Sequence, residues 1–196
     1  MTQARDDWRL GLRERRRAIP AQARIAAAER LAGRLLALPF APASGAVAGY
    51  WAMDGEIALH AWQLRLPPSV SYCLPVLGDD AMLRFAPWRP GAPLVSNRFG
   101  IPEPDVAADL LLDASALAFV VVPLVGFDAR GNRLGMGGGW YDRTFAFRNA
   151  SADAAPPRLV GAAFAMQQLD AIPPASWDVP LDAVCTEQAT FMTGAE

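Results

Sequence analysis

Apolar residues recur along the chain at two different spacings, and the changes between them mark out its elements. Over Ala4–Ala18, Trp8 and Leu12 stand at i, i+4 in an arginine-rich background, which predicts a basic helix with a narrow apolar stripe. Pro20 sits where a second helix would begin, since its fixed φ suits a first helical turn. Ala21–Leu38 continues that helix with Ile25, Leu31, Leu35 and Leu36 as its apolar positions, and Ala41–Gly45 breaks it. Ala46–Trp51 then reads as a strand, Asp54-Gly55 as a turn, and Ile57–Leu66 as a helix stopped by Pro67-Pro68. Short strands follow at Val70–Leu74 and Leu83–Ala86. Pro87–Asp105, rich in Pro and Gly, is expected to be an ordered loop, and Val106–Leu112 a short helix. Ala118–Val122 contains the run Phe119-Val120-Val121-Val122, the pattern of a buried strand. Trp140–Arg148 is a predicted short helix, Ala150–Pro157 a predicted mobile loop, and Leu159–Phe164 and Ala183–Cys185 further strands. Alternation of β and α elements implies an α/β sandwich with a largely parallel sheet.

Composition narrows the chemistry. The 196 residues are most simply one domain, and 53% hydrophobic with 19% charged residues is ordinary for a soluble globular protein. A net charge of −2 implies no general attraction to nucleic acid or to an anionic membrane. All 18 basic residues are arginine, so lysine Schiff-base chemistry and a Walker-type phosphate loop are both excluded. Cys73 and Cys185 are far apart and lack metal-binding spacing, which fits reduced thiols. No signal core or membrane-length apolar run is present, so a cytoplasmic protein is expected.

The segment Gly131–Arg143 concentrates the candidate chemistry. Four glycines fall within Gly135–Gly139, between a strand and a helix start. Such a passage presents unhindered backbone N–H groups to an anion. It does not fit the dinucleotide fingerprint, because Trp140 occupies the last glycine position. A turn needing positive φ is the alternative. Asp142 is suited to hold Mg²⁺ beside phosphate oxygens, or to complement a helix start. Glu56 follows a strand end, where open α/β sheets bind ligands, and is otherwise a helix-start carboxylate. Arg5, Arg9, Arg13 and Arg16 recur at i+4, i+4 and i+3 as one stripe, suited to polyphosphate, an acidic protein or solvent. His60, the only histidine, reads as structural beside Trp62.

Pro123–Asp128 followed by Gly131–Arg143 resembles the signature of the 5-formyltetrahydrofolate cyclo-ligase family, also called methenyltetrahydrofolate synthetases. Further matches run in order along the chain. They are Arg5 and Arg9 as a basic pair, Tyr50–Glu56, Leu74-Pro75-Val76, Gly100-Ile101-Pro102-Glu103-Pro104, and Asp178–Glu187. The resemblance implies a three-layer α/β/α sandwich with a largely parallel, mixed sheet (NagB/RpiA-like), formed by residues 1–196 as a single domain. It also implies ATP-dependent closure of 5-formyltetrahydrofolate to 5,10-methenyltetrahydrofolate, with Mg²⁺ and release of ADP and phosphate.

By that likeness, Arg133, Leu134, Gly135, Met136, Gly137, Gly138, Gly139, Trp140 and Tyr141 would wrap the ATP phosphates, with Arg5 and Arg9 closing from the N-terminal helix. Arg133 and Tyr141 would act at the reacting phosphoryl group. Asp142 and Asp178 would hold Mg²⁺. Trp51 and Glu56 would position the pterin, with Met136–Trp140 against the folate. Some family members carry lysine or arginine inside the glycine loop and a lysine in the N-terminal pair; here Met136 and Gly138 leave the loop neutral and Arg5 keeps the charge. The expected partners are the two small-molecule substrates, with neither nucleic acid nor membrane, and the expected state is a monomer, with a dimer the alternative. Two other classes are open: a non-catalytic folate or nucleotide binder, and a sugar-phosphate isomerase on a related scaffold.

Overall fold

In a computed structural model, residues 2–150 and 156–193 are described. The first two helices are α1 (Thr2–Arg17) and α2 (Ala21–Leu36), followed by β1 (Gly45–Ala48), α3 (His60–Gln63), β2 (Val70–Leu77) and β3 (Leu83–Pro87). A small hairpin comes next, β4 (Leu94–Ser96) with β5 (Pro102–Pro104), then β6 (Leu117–Pro123). A second hairpin pairs β7 (Gly126–Phe127) with β8 (Arg133–Leu134), and α4 (Trp140–Thr144), β9 (Arg158–Ala162), β10 (Ala183–Cys185) and β11 (Thr190–Met192) complete the chain.

Seven strands form one sheet in the order β11-β10-β9-β6-β1-β2-β3. The five inner strands are parallel, and the two edges, β11 and β3, are antiparallel. β6 lies at the centre, and its uninterrupted apolar run follows from burial on both faces. Phe119 and Val121 point into one core with Leu31, Leu35 and Trp62 of the α2–α3 layer. Val120 and Val122 point into the other with Phe85, Phe145 and Leu181. The second layer is thin, being made of five-residue α4, 3-10 turns and extended chain. The architecture is the predicted α/β sandwich with a mostly parallel, mixed sheet.

α2 packs closely because Ala27, Ala28 and Ala32 leave room between Leu31 and Leu35. Ile25, an expected core position, is instead 62% exposed. The predicted helix Ile57–Leu66 contracts to His60–Gln63, because Ile57 and Leu59 are drawn into the core ahead of it, where the Tyr50 hydroxyl donates to the Ile57 carbonyl. The Pro87–Asp105 loop contains the β4–β5 hairpin, and Val106–Leu112 reduces to one 3-10 turn at Ala108–Leu110. The mobile loop expected at Ala150–Pro157 falls mostly on residues 151–155, outside the described residues.

One buried cation fixes the site-bearing helix. Arg16 is 1% exposed; its guanidinium donates to the Asp54 carboxylate (3.0 Å), to the Asp54 carbonyl (3.0 Å) and to the Leu124 carbonyl after β6 (3.1 Å). Arg13 and Arg17 also donate to Asp54, Arg13 at 2.7 Å. Asp54 stands at φ 50 in the Asp54-Gly55 turn, a conformation that Asp tolerates better than most residues. Burial of this carboxyl opposes ionisation, but hydrogen bonds from Arg13 and Arg17 outweigh it and hold the pKa below the ordinary carboxylate value. The arginine stripe thus divides, with Arg13 and Arg16 serving the fold.

Because the folded-state pKa of Asp54 is depressed, its stabilisation is present above the ordinary carboxylate pKa and is lost as pH falls through the folded value. Asp54→Asn keeps a residue tolerant of positive φ while removing the charge opposite buried Arg16. The expected loss at neutral pH is about 3 kcal/mol. Urea unfolding should show that difference shrinking below about pH 3 to 4. An equal loss at both pH values would show that the charge is not what matters.

Candidate functional site

The strand that feeds the glycine loop is β8 of the second hairpin. The sequence pattern pointed to β6, but β7, Asp128 and a turn intervene. The buried Asp128 carboxylate shapes that hairpin by accepting the N–H groups of Arg130 and Asn132 (3.0 Å each) and the Asn132 amide (2.8 Å). It also accepts Ile172 N–H at 2.9 Å, fastening the hairpin to the segment leading to Asp178. Trp8 and Leu12 of α1 pack on Val125, Leu134, Leu169 and Ile172. That contact lays α1 along the glycine loop.

Gly135–Gly139 combines a turn with open space. Gly137 and Gly139 have φ of 98° and 65°, so the turn itself needs them. Gly135 is different. Its φ is not positive and a Cβ there would meet nothing within 4 Å, so the fold does not require glycine. The open space there leaves the backbone accessible, which favours a cradle over a bare turn. α4, with five residues, adds little macrodipole, so the loop's own N–H groups are the main donors available to an anion.

Most of the predicted charged residues converge on this loop. Arg9 Nε donates to the Gly135 carbonyl at 2.9 Å, and its other arm pairs with Asp6 at 2.6 Å. Arg5 donates to the Pro173 carbonyl and lies 3.6 Å from the Asp178 carboxylate. Arg133 is 9% exposed and donates to the Val179 carbonyl and to Asp142 Oδ1. Burial lowers its pKa, with Asp142 and Asp178 opposing. Asp142 Oδ1 also accepts Val179 N–H at 3.2 Å, and Asp178 Oδ2 accepts Ala175 N–H at 2.8 Å. Among the described contacts each carboxylate therefore keeps one oxygen without a protein partner. No group of three His, Cys, Asp or Glu side chains suited to a metal occurs among the described residues. A Mg²⁺ ion, which commonly takes one or two carboxylates and completes its octahedron with phosphate and water, fits this donor set. Beside Asp142, a cleft of about 420 Å³ opens between Gly137–Gly139 and Trp177.

Glu56 sits beside α1's anchor. Its carboxylate accepts Met53 N–H at 3.0 Å and lies 4.0 Å from Arg16. Burial pushes its pKa up, against the pull of the Met53 N–H and Arg16. Burial, then the Glu56 charge, also pushes the phenols of Tyr50 and Tyr141 up. Tyr141 is therefore a protonated hydrogen-bond donor. Gly49 admits this cluster, since a Cβ there would stand 2.1 Å from the Tyr72 hydroxyl.

Other predicted residues are placed less directly. Leu134 is 1% exposed, so only its backbone can face a ligand. Met136 is 53% exposed at the loop crest. Trp51 meets Trp88 edge-on at 5.7 Å, which adds Trp88 to the apolar wall. Arg98, Phe99 and Trp177 were not among the expected site residues. Arg98 and Phe99 directly precede the Gly100–Pro104 motif, and Trp177 precedes Asp178, which is the only signal the sequence offers. Cys73 and Cys185 are buried free thiols pushed up to about 11 by burial, and carry no reactive role. Among the described residues no helix is long and apolar enough to cross a membrane.

Comparison with known proteins places the chain in a family. The model of the 5-formyltetrahydrofolate cyclo-ligase family matches residues 1–187. The Escherichia coli K12 5-formyltetrahydrofolate cyclo-ligase is 36% identical over 179 residues, covering 89% of this chain and 96% of that protein. The Haemophilus influenzae protein of the same name is 40% identical over 138 residues, covering 69% and 72%. The NMR structure of Aquifex aeolicus 5,10-methenyltetrahydrofolate synthetase has a TM-score of 0.81 and 25% identity, covering 98% of this chain and 94% of that one. Chain-length matches in sequence and fold lead to one conclusion: this protein belongs to the 5-formyltetrahydrofolate cyclo-ligase family.

Proposed function

We propose that the chain, as one domain acting as a monomer, catalyses Mg²⁺- and ATP-dependent ring closure of 5-formyltetrahydrofolate to 5,10-methenyltetrahydrofolate, releasing ADP and phosphate. The observation that carries this reading is the convergence of Arg9, Arg133, Asp142 and Asp178 on a glycine loop with room for a ligand. The names of the relatives support the same reaction. The two classes left open by the sequence, a bare binder and an isomerase, gain no support from this site. Neither needs a carboxylate pair beside a phosphate cradle.

The chemical difficulty is that an N-formyl carbon is a poor electrophile, because nitrogen donates into its carbonyl. Moving the γ-phosphoryl of ATP to the formyl oxygen breaks the bond from phosphorus to the β,γ-bridging oxygen and forms a new P–O bond. N10 then attacks the activated carbon, phosphate leaves with the former formyl oxygen, and the N10 proton is released. The protein's work is positioning and charge neutralisation. In this reading the N–H groups of Gly135–Gly139 hold the phosphates, and Arg5 and Arg9 close over the nucleotide. Arg133 and the protonated Tyr141 face the transferring group. Met136–Trp140 also line the folate. Asp142 and Asp178 hold Mg²⁺, which neutralises phosphate charge. Glu56 accepts from the ring nitrogens and amino group of the pterin, beside Trp51.

Mixing the protein with Mg-ATP and 5-formyltetrahydrofolate should generate the near-ultraviolet absorbance of the methenyl product; folded protein giving none would sink the proposal. Asp142→Asn should lower kcat at least about 100-fold while folate affinity changes little. Wild-type kcat in a steady-state assay would remove its metal role. Glu56→Gln should weaken 5-formyltetrahydrofolate about tenfold or more with ATP affinity unchanged, as read by calorimetric titration of each ligand. Unaltered folate binding would place the pterin elsewhere.

A further inference from the structure

The tip between β4 and β5 is built as a rigid mount. Asn97 Oδ1 accepts the N–H groups of Phe99 (2.8 Å) and Ile101 (3.1 Å), and Asn97 N–H donates to the Ile101 carbonyl at 3.0 Å. The Asn97 amide donates to Glu103 Oε1 at 2.7 Å. Glu103 is 9% exposed and its same oxygen accepts Leu77 N–H of β2 at 2.9 Å. The Gly100–Pro104 motif therefore ties the tip to the main sheet.

What this mount presents is Arg98 and Phe99. The Arg98 guanidinium carbon lies 5.4 Å from the Phe99 ring centre and 5.5 Å from that of Trp140, at the end of the glycine loop. Phe99 and Trp140 meet edge-on at 6.3 Å, and Phe99 is 57% exposed. Among the described residues no carboxylate pairs with Arg98 and no hydrogen bond uses it. An exposed, unpaired cation adds little to stability. Contact with a ring engages the face of a guanidinium and leaves its in-plane N–H donors available for an oxyanion.

We propose that Arg98 is a substrate-binding residue that brings to the neutral glycine loop the positive charge it lacks. It grips an oxyanion of a bound substrate, either a phosphate or a carboxylate. The inference rests on the reading above, whose nucleotide carries phosphates and whose folate carries carboxylates.

The test titrates the intact chain by calorimetry with Mg-ATP and, separately, with 5-formyltetrahydrofolate monoglutamate, beside the turnover assay. Arg98→Gln should weaken one ligand roughly tenfold and leave the other nearly unchanged. Loss of Mg-ATP affinity assigns the oxyanion to phosphate; loss of folate affinity assigns it to carboxylate. Arg98→Lys should recover part of the loss, since it keeps the charge without the planar fork. The affected ligand should also lose part of its salt dependence in Arg98→Gln. Circular dichroism should show both variants folded, because the fold makes no hydrogen bond to this side chain. If wild type turns over while Arg98→Gln binds both ligands and turns over as wild type does, the inference is overturned and the reaction stands. If wild type does not turn over but Arg98→Gln still loses affinity for one ligand, the reaction assignment fails and the anion site stands.

Discussion

Burial of the Arg16 guanidinium is the constraint on which the site's geometry depends. A fully enclosed cation is costly unless every donor finds an acceptor. Here the acceptors come from two remote places: the carboxylate and carbonyl of Asp54, and the carbonyl of Leu124 at the end of β6. Satisfying that one side chain joins α1, the turn after β1 and the start of the second hairpin. Arg24 reinforces the joint by donating to the carbonyls of Arg16, Arg17 and Ile19 at the end of α1. With the far end of α1 held, its near end has a defined place, and Arg5 and Arg9 reach Pro173 and Gly135.

The resulting site separates its charges. Carboxylates Asp142 and Asp178 are each held by an arginine and a backbone N–H. Glu56 is largely buried, and burial and its charge raise the pKa of the Tyr50 and Tyr141 phenols. The glycine loop carries no charged side chain; cations stand around it on α1, on β8 and at the β4–β5 tip. A neutral loop encircled by arginines from other elements can approach a polyanion closely, because its backbone is unobstructed where Gly135 would otherwise carry a side chain.

Elements whose stability is local were legible in the sequence. α1, α2, β6 and β10 lie within a residue or two of their predicted bounds, because helical spacing or a continuous apolar run specifies them without knowledge of partners. Elements that depend on distant contacts were not. Ile57 and Leu59 fall within the predicted helix, yet their burial in the core and the Tyr50 hydrogen bond to the Ile57 carbonyl leave them ahead of it. The β7–β8 hairpin is set by buried Asp128, whose fourth acceptor bond reaches Ile172. The arginine stripe looked like a single surface because spacing along a helix says nothing about which acceptors face it.

By itself the sequence determined the class of fold, the loop that must matter and, through its ordered motifs, the family. Glycine clustering, apolar period and the absence of lysine are properties of the chain alone. Only the tertiary structure decided which arginines are free for a ligand and which are spent on folding. It also decided that burial and the Glu56 charge make the Tyr141 phenol hold its proton more tightly, and that Arg98 meets Trp140 from 42 positions away. The physical reason is that ionisation and availability are set by burial and by nearby charges. Both are sums over neighbours that the fold, not the order of residues, brings together.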